Sequence, residues 1–359
     1  MPKIFLCGLI ITTFLAIQAL SNSSLPMSAR GAWAGEIFPA TRDKWLWPFA
    51  QNSIWNRPIG AGAQYVPANI QKAQHWLADQ EYLYRTQDSD PLRKVYAPGA
   101  WTKRCAGNTP SYAPDIPVPD ALIVKDATAV PYSTPNNAAA FLMPDGQTLV
   151  QLEPLARCVS GGPLYGYHYS EDLNISGPGI GGSHFGSGLS ALGGSVRLGE
   201  LIGNTPIRHA IKVLLWGKKW YYPNPGFRWP ASRKDDNPQY GGTNPDLMPG
   251  SLLAIPPQKT LKSLDLKTPA GKKLFRALQD YGAYIVDDAG WDAHYLAVEN
   301  GVLEEFKTAY GYNFEQTSGP FYDDMMKLFQ TLHVVNNNGP NSIGGGGKPR
   351  GPLAPPIRN

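Results

Sequence analysis

Alternation of apolar and polar positions is clearest between Gln147 and Cys158. Thr148, Val150, Leu152, Pro154, Ala156 and Cys158 share one parity, and Gln147, Leu149, Gln151, Glu153, Leu155 and Arg157 share the other. Successive side chains of a strand point to opposite faces, so the pattern predicts a strand with one face in the core. The second face brings an amide, a carboxylate and a guanidinium together, pointing out of the core. Pro144-Asp145-Gly146 just before it is a hairpin turn signal, with Asp145 as a turn residue, and residues 138–143 supply the partner strand. Residues 121–124, 195–201 and 207–216 read as further strands. In the last of these His209 falls on the apolar face, as a core histidine, while Arg208, Lys212 and Trp216 share the other face.

Helical spacing appears later in the chain. Leu274, Leu278, Tyr281 and Ile285 recur at that period after Thr268-Pro269, an N-cap followed by a first-turn proline. Gly282 ends this helix and residues 283–286 turn into a strand. Residues 302–310 and 320–333 predict two more helices, with Asp323 and Asp324 as helix-start charges, and residues 69–83 a short one. The remainder of 35–120 reads as an irregular N-terminal arm pinned by its tryptophans. Residues 336–359 form a Gly/Pro-rich tail, either laid across the domain or loose. There is no internal repeat and no linker. The expected architecture is β-rich: a single domain over 35–359, a two-sheet sandwich of jelly-roll type with peripheral helices.

Composition sharpens this. With 38 Gly, 34 Pro, 10 Trp and 18 Tyr, the chain suits short strands joined by ordered turns, since disordered chains lack aromatics. Lys3 followed by the apolar residues 4–20 reads as a signal peptide over 1–34, with Ala32-Trp33-Ala34 as a cleavage site before Gly35. Cleavage near Ala19 or Ser23, or an uncleaved anchor, are the alternatives. No other apolar run is long enough to span a bilayer. Cleavage removes Lys3, Arg30 and no acid, so the formal charge falls from +4 to +2, which argues against a nucleic-acid partner. It also removes Cys7, leaving Cys105 and Cys158 as the one pair for a disulfide in an oxidising, secreted setting. Asn174-Ile175-Ser176 matches a glycosylation sequon, relevant only in a eukaryotic secretory route.

Ser183-His184-Phe185-Gly186-Ser187-Gly188-Leu189-Ser190, Gly193-Gly194-Ser195-Val196-Arg197 and Ile207-Arg208-His209-Ala210 carry a likeness, together with Tyr240-Gly241-Gly242-Thr243-Asn244-Pro245 and Asp280-Tyr281-Gly282-Ala283-Tyr284. On these the chain resembles a family of uncharacterised secreted bacterial proteins over most of its mature length. The resemblance implies no activity and assigns no residue a role.

Three kinds of chemistry are open. Glycoside hydrolysis needs two carboxyl groups flanking the bond, and Glu153, Asp287, Asp288 and Asp292 are the candidates, with Trp291 as a sugar-stacking neighbour. Elimination from a uronic-acid polymer needs a proton acceptor, a proton donor and groups that neutralise the uronate. His184 and Tyr167, beside Tyr165, His168 and Tyr169, suit the first two tasks. Gln151, Arg197, Arg208 and Lys212 suit the third, with Trp216 as a further binding residue. No zinc or EF-hand pattern is present, and no phosphate loop or Gly-x-Ser-x-Gly elbow, so no cofactor is expected beyond calcium at Asp287, Asp288 and Asp292. The reading is a secreted enzyme that cleaves a polysaccharide, leaning to hydrolysis by a carboxylate pair. A polysaccharide lyase and a non-catalytic carbohydrate-binding or envelope structural protein are the alternatives.

Overall fold

The computed structural model describes residues 38–128, 130–132, 135–236 and 238–358. The signal peptide expected over 1–34, with Cys7 and the cleavage site, lies outside the described residues. The N-terminal third contributes β1 (Tyr65–Pro67), β2 (His75–Arg85), β3 (Leu92–Arg93), β4 (Val95–Tyr96) and β5 (Ile116–Pro117). There follow β6 (Ala139–Leu142), β7 (Thr148–Ala156), β8 (Leu164–Tyr167), β9 (Leu173–Asn174) and β10 (Ile211–Leu215). The last third alternates strand and helix: α1 (Gly217–Trp220), β11 (Leu252–Ala254), α2 (Leu261–Leu264), α3 (Pro269–Asp280), β12 (Ala283–Asp288) and β13 (Ala293–Glu299). It closes with α4 (Val302–Tyr310), α5 (Pro320–Thr331) and β14 (His333–Val335).

The fold is β-rich. Twelve strands join in one mixed sheet in the order β1-β14-β11-β12-β10-β13-β2-β6-β7-β8-β4, with β9 on β7, and β3 pairs β5 separately. β10 runs parallel to β12, β13 to β2, β2 to β6 and β4 to β8. This pairing does not bear out a two-sheet sandwich of jelly-roll type, because parallel neighbours come from distant parts of the chain and leave no hairpin signal.

One face of the sheet is apolar. Val213, Leu215, Ile285, Leu296 and Trp76 pack there against Leu274 of α3, Phe306 of α4 and Phe321 and Phe329 of α5. Farther along the same sheet, Phe141, Val150, Leu152 and Leu164 form a second apolar cluster. Each large side chain so buried contributes about 1.5–3 kcal/mol. α3 begins as expected: the Thr268 hydroxyl accepts from Gly271 N at 3.1 Å. Asp324 differs from the helix-start charge expected of it. It is fully buried and accepts from Thr268 N at 2.7 Å, from the Thr268 hydroxyl at 2.7 Å and from Lys267 N at 3.0 Å, tying α5 to the start of α3.

Several expectations are corrected. Residues 69–83 are not helical: the long central strand β2 starts at His75. Its buried odd parity reads Leu77, Asp79, Glu81, Leu83, and the two acids break the apolar alternation that would mark a strand. Residues 195–201 form no strand, only a bridge from Val196 to Val298. The strand expected over 207–216 shortens to β10, all five residues of which are buried, Lys212 included. In β7 the parity holds as far as Glu153, where the register shifts, so that Leu155 joins Val150 and Leu152 in the core and Pro154 lines the cavity. Residues 149–156 are buried on both faces, so Gln151 and Glu153 do not face solvent, and neither does Arg157. Asp145 is the turn residue expected, accepting from Gln147 N at 2.7 Å and Thr148 N at 2.8 Å.

Cys105 and Cys158 are disulfide-bonded with Cα atoms 6.2 Å apart, a link worth about 2–4 kcal/mol for loops of this size. The tail is laid across the domain: Gly60 N donates to Gly344 O at 2.9 Å, Ala61 N to Lys348 O at 2.8 Å, and Arg42 bridges Ile357. Among the described residues no helix is long and apolar enough to cross a membrane.

Candidate active site

The other face of the sheet is polar and roofed. β2 offers Asp79 and Glu81, β7 offers Gln151 and Glu153, and β10 offers Lys212. A bulge between Val213 and Leu214 pairs Val213 with Ile285 but Leu214 with Asp287, skipping Val286. The skip leaves Ile285 in the apolar core and turns Asp287 to the side of Lys212, a re-aiming typical of bulges beside functional sites. The glycine-rich segment 182–197 covers this face. Gln151 Oε1 anchors it, accepting from the Ser190 hydroxyl at 2.9 Å and Ala191 N at 2.8 Å. Gly186 lets it close, since a Cβ there would lie 2.4 Å from Asp287 Oδ1 and 3.2 Å from both carboxylate oxygens of Asp235.

Under this roof sits a charged network without water access. Lys212 Nζ donates to Glu81 Oε1 at 2.6 Å, to Ala191 O at 2.7 Å and to Ser190 O at 2.9 Å. The Ser195 hydroxyl donates to the other Glu81 oxygen. His184 Nε2 meets Glu81 Oε1 at 2.7 Å, and its Nδ1 lies 3.5 Å from Asp287 Oδ2, too far for a good hydrogen bond. Burial pushes the Glu81 carboxyl up, but Lys212 and His184 outweigh it and hold it below the ordinary value. Burial and Lys212 act to lower His184, yet Asp287 and Glu81 raise it to about 10, so the ring is an imidazolium at neutral pH.

The network opens at one end into a cavity of about 410 Å³. Its walls are Pro98, Trp101, Pro154, Tyr167, Tyr169 and Phe185, and its acids are Glu153, Asp235, Asp287 and Asp288. Glu153 accepts from Phe185 N at 2.6 Å, and Asp288 from Gly217 N at 2.7 Å. Asn136 Nδ2 donates to Asp287 Oδ2 at 3.3 Å, and the Tyr240 hydroxyl to Asp235 Oδ2 at 3.2 Å. Burial, then the nearby Asp287, raises Glu153 well above a usual carboxyl. Burial with Asp287 and Asp288 raises Asp235 to about 8, and burial raises Asp288 to about 7. These groups hold protons near neutrality because too many like charges meet away from water.

Glu153, His184 and Asp287 each place one donor atom within 4.8 Å of the others. A cation bound there would first have to displace the Nδ1 proton of His184, because only the neutral ring is a ligand. The calcium trio expected from the sequence is not assembled, since Asp292 lies off the cavity with its carbonyl accepting from His75 N at 3.2 Å.

Of the sequence candidates, Glu153, Asp287, Asp288 and Tyr167 therefore meet at the cavity, with His184 beneath them. The others are elsewhere. Trp291 donates to the Tyr295 hydroxyl at 2.6 Å, outside the cavity. Arg197 is held by Glu299 at 2.8 Å and Trp45 O at 2.6 Å, and Arg208 stacks over Phe38 at 4.4 Å. Gln151 and Lys212 pin the roof, and Trp216 precedes α1 with its carbonyl accepting from Lys219 N at 3.0 Å. Glu81, Asp79, Asp235 and the wall residues Trp101 and Phe185 were not foreseen. The period-two run Leu77, Asp79, Glu81, Leu83 was the available signal for the first two, whereas Asp235 sits in a loop with no period. Comparison of the chain with protein-family models, with curated proteins and with solved structures finds no match.

Proposed function

We propose that this chain is an exported enzyme that cleaves a polysaccharide by hydrolysis, with Glu153 as proton donor and Asp287 as the facing carboxylate. One observation carries the reading: these two side chains come within 4.8 Å of each other at the floor of an aromatic-walled cavity. Glu153 is kept protonated by burial and by Asp287, the state a general acid needs. Its proton goes to the glycosidic oxygen as the bond to the anomeric carbon breaks, and Asp287 takes that carbon as a nucleophile. Glu153, now a carboxylate, then draws the proton from the water that releases the sugar. The close approach of their nearest donor atoms suits a retaining pair, whose carboxyl groups stand about 5–5.5 Å apart, better than an inverting one at about 6.5–9.5 Å. Trp101, Tyr167 and Tyr169 offer flat faces to sugar rings. Export is supported by the disulfide and by the apolar N-terminal segment of the sequence.

Elimination fits less well, because Arg197 and Arg208 are engaged away from the cavity and among the described residues no Lys, Arg or His lines it. The test is a panel of polysaccharides read for new reducing ends and for the absorbance of unsaturated uronate. Reducing ends alone are expected, and Glu153→Gln should lower kcat by about 10²–10⁴. Unsaturated uronate, or full activity in Glu153→Gln, would overturn the assignment. Activity abolished by chelator and restored by a divalent cation would replace it with a metal-assisted one.

A further inference from the structure

The charges around the cavity do not balance. Beneath it, Glu81 and Asp287 stand against Lys212 and the His184 imidazolium, two of each sign. Asp79, Asp235 and Asp288 are left over, and Glu153 keeps its proton as the acid of the proposed reaction. Among the described residues no Lys or Arg forms an ion pair with any of the three. Arg233, behind the aromatic wall, is stacked 3.8 Å over Phe185 and 5.0 Å over Tyr169 and reaches Asp236 at 4.0 Å. Cleavage by an acid and a nucleophile uses Glu153 and Asp287, so Asp235 and Asp288 are surplus to it. A partly buried carboxyl without a cation keeps its proton, as these do, and one beside an open cavity can give it up when a cationic ligand supplies the counter-charge. A second observation points the same way. His184 Nδ1 is fully buried and has no hydrogen-bond partner, and it faces the same floor, 3.5 Å from Asp287 Oδ2. A ligand hydroxyl reaching that floor would satisfy it. The walls add to this, for aromatic faces attract cations as well as sugar rings.

We infer that the cavity takes a sugar bearing a free, positively charged amino group, so that the polymer is a hexosaminan with unacetylated units. The ammonium sits between Asp235 and Asp288 while the ring lies against Trp101 and Tyr167. That the polymer is also cut rests on the hydrolase reading above; recognition of the amine does not. Glu153→Gln, which keeps the shape of the floor, serves for calorimetry with glucosamine and galactosamine oligomers. N-acetylated counterparts, glucose oligomers and galacturonate oligomers are the comparisons. The amino oligomers should bind at least about tenfold tighter than the acetylated ones. Added salt should erode that margin and leave the glucose oligomers unchanged. Asp235→Asn and Asp288→Asn should each remove most of the margin, and Asp235→Glu should keep it. Equal or tighter binding of acetylated, neutral or uronate oligomers, or no binding of any amino oligomer, would overturn the inference. So would a margin untouched in both Asn variants. If the wild-type protein prefers the amino oligomers yet releases no reducing ends from their polymers, the hydrolase reading falls and this one stands.

Discussion

Asp235, Asp288, Asp79 and Glu153 make the stability of this protein depend on pH in an unusual sense. Burial raises all four in the folded chain, Asp235 to about 8 and Asp79 and Asp288 to about 7. Between pH 5 and 8 the unfolded chain has already released these protons while the folded one retains them, so stability falls as pH rises. His184 adds to the fall: raised to about 10, it contributes fully below its unfolded value near 6.5 and progressively less above it. The low value of Glu81 matters only under acid, below its unfolded value. The melting temperature should therefore be lower at pH 8 than at pH 5, and Asp235→Asn should shrink the difference. An equal or higher melting temperature at pH 8 would contradict this charge pattern. At this scale the sequence was legible where chemistry and turn signals coincide, as at Glu153, Asp287, Asp288, His184 and Tyr167. It was not legible at Glu81, whose acidic neighbour on the same parity disguises the strand that carries both.

Elements decide which way these side chains face. In β7 the alternation identified the correct face for Gln151 and Glu153 but not its environment, because periodicity cannot tell solvent from a polar interior roofed by a distant segment. In β12 it could not identify the face of Asp287, since the skipped Val286 inverts parity there. α3, α4 and α5 were readable because caps and apolar spacing are local. The roof carries the clearest prediction at this scale. Gly186→Ala introduces a Cβ at 2.4 Å from Asp287 Oδ1, so the carboxylate or the roof must shift. Overpacking of this kind costs about 1–3 kcal/mol, and displacement of a reacting group lowers turnover far more than that implies. If Asp287 is the nucleophile proposed, kcat on a polysaccharide substrate should drop at least about tenfold while the chain still folds cooperatively. Unchanged kcat would mean that the roof does not position Asp287.

Across the whole molecule, the sheet joins parts of the chain that no local pattern links. β2 lies between β6 and β13, both parallel to it, and the tail closes over the N-terminal arm at Gly60 and Arg42. That is why β-richness was readable and the topology was not: parallel neighbours arise from packing, and turn residues do not announce them. The pairing of His75 with Ala293 also has a consequence in time. Strand β2 is made more than two hundred residues before its partner β13, and contacts so distant in sequence form slowly. Until β13 appears, one edge of β2 is unpaired and Glu81 has no settled surroundings. A nascent chain arrested before Ala293 should therefore be cut readily by protease throughout its length, while the full chain resists. A polypeptide that stays threadable until β13 is made would suit the export proposed above, since it could pass a narrow channel before it folds.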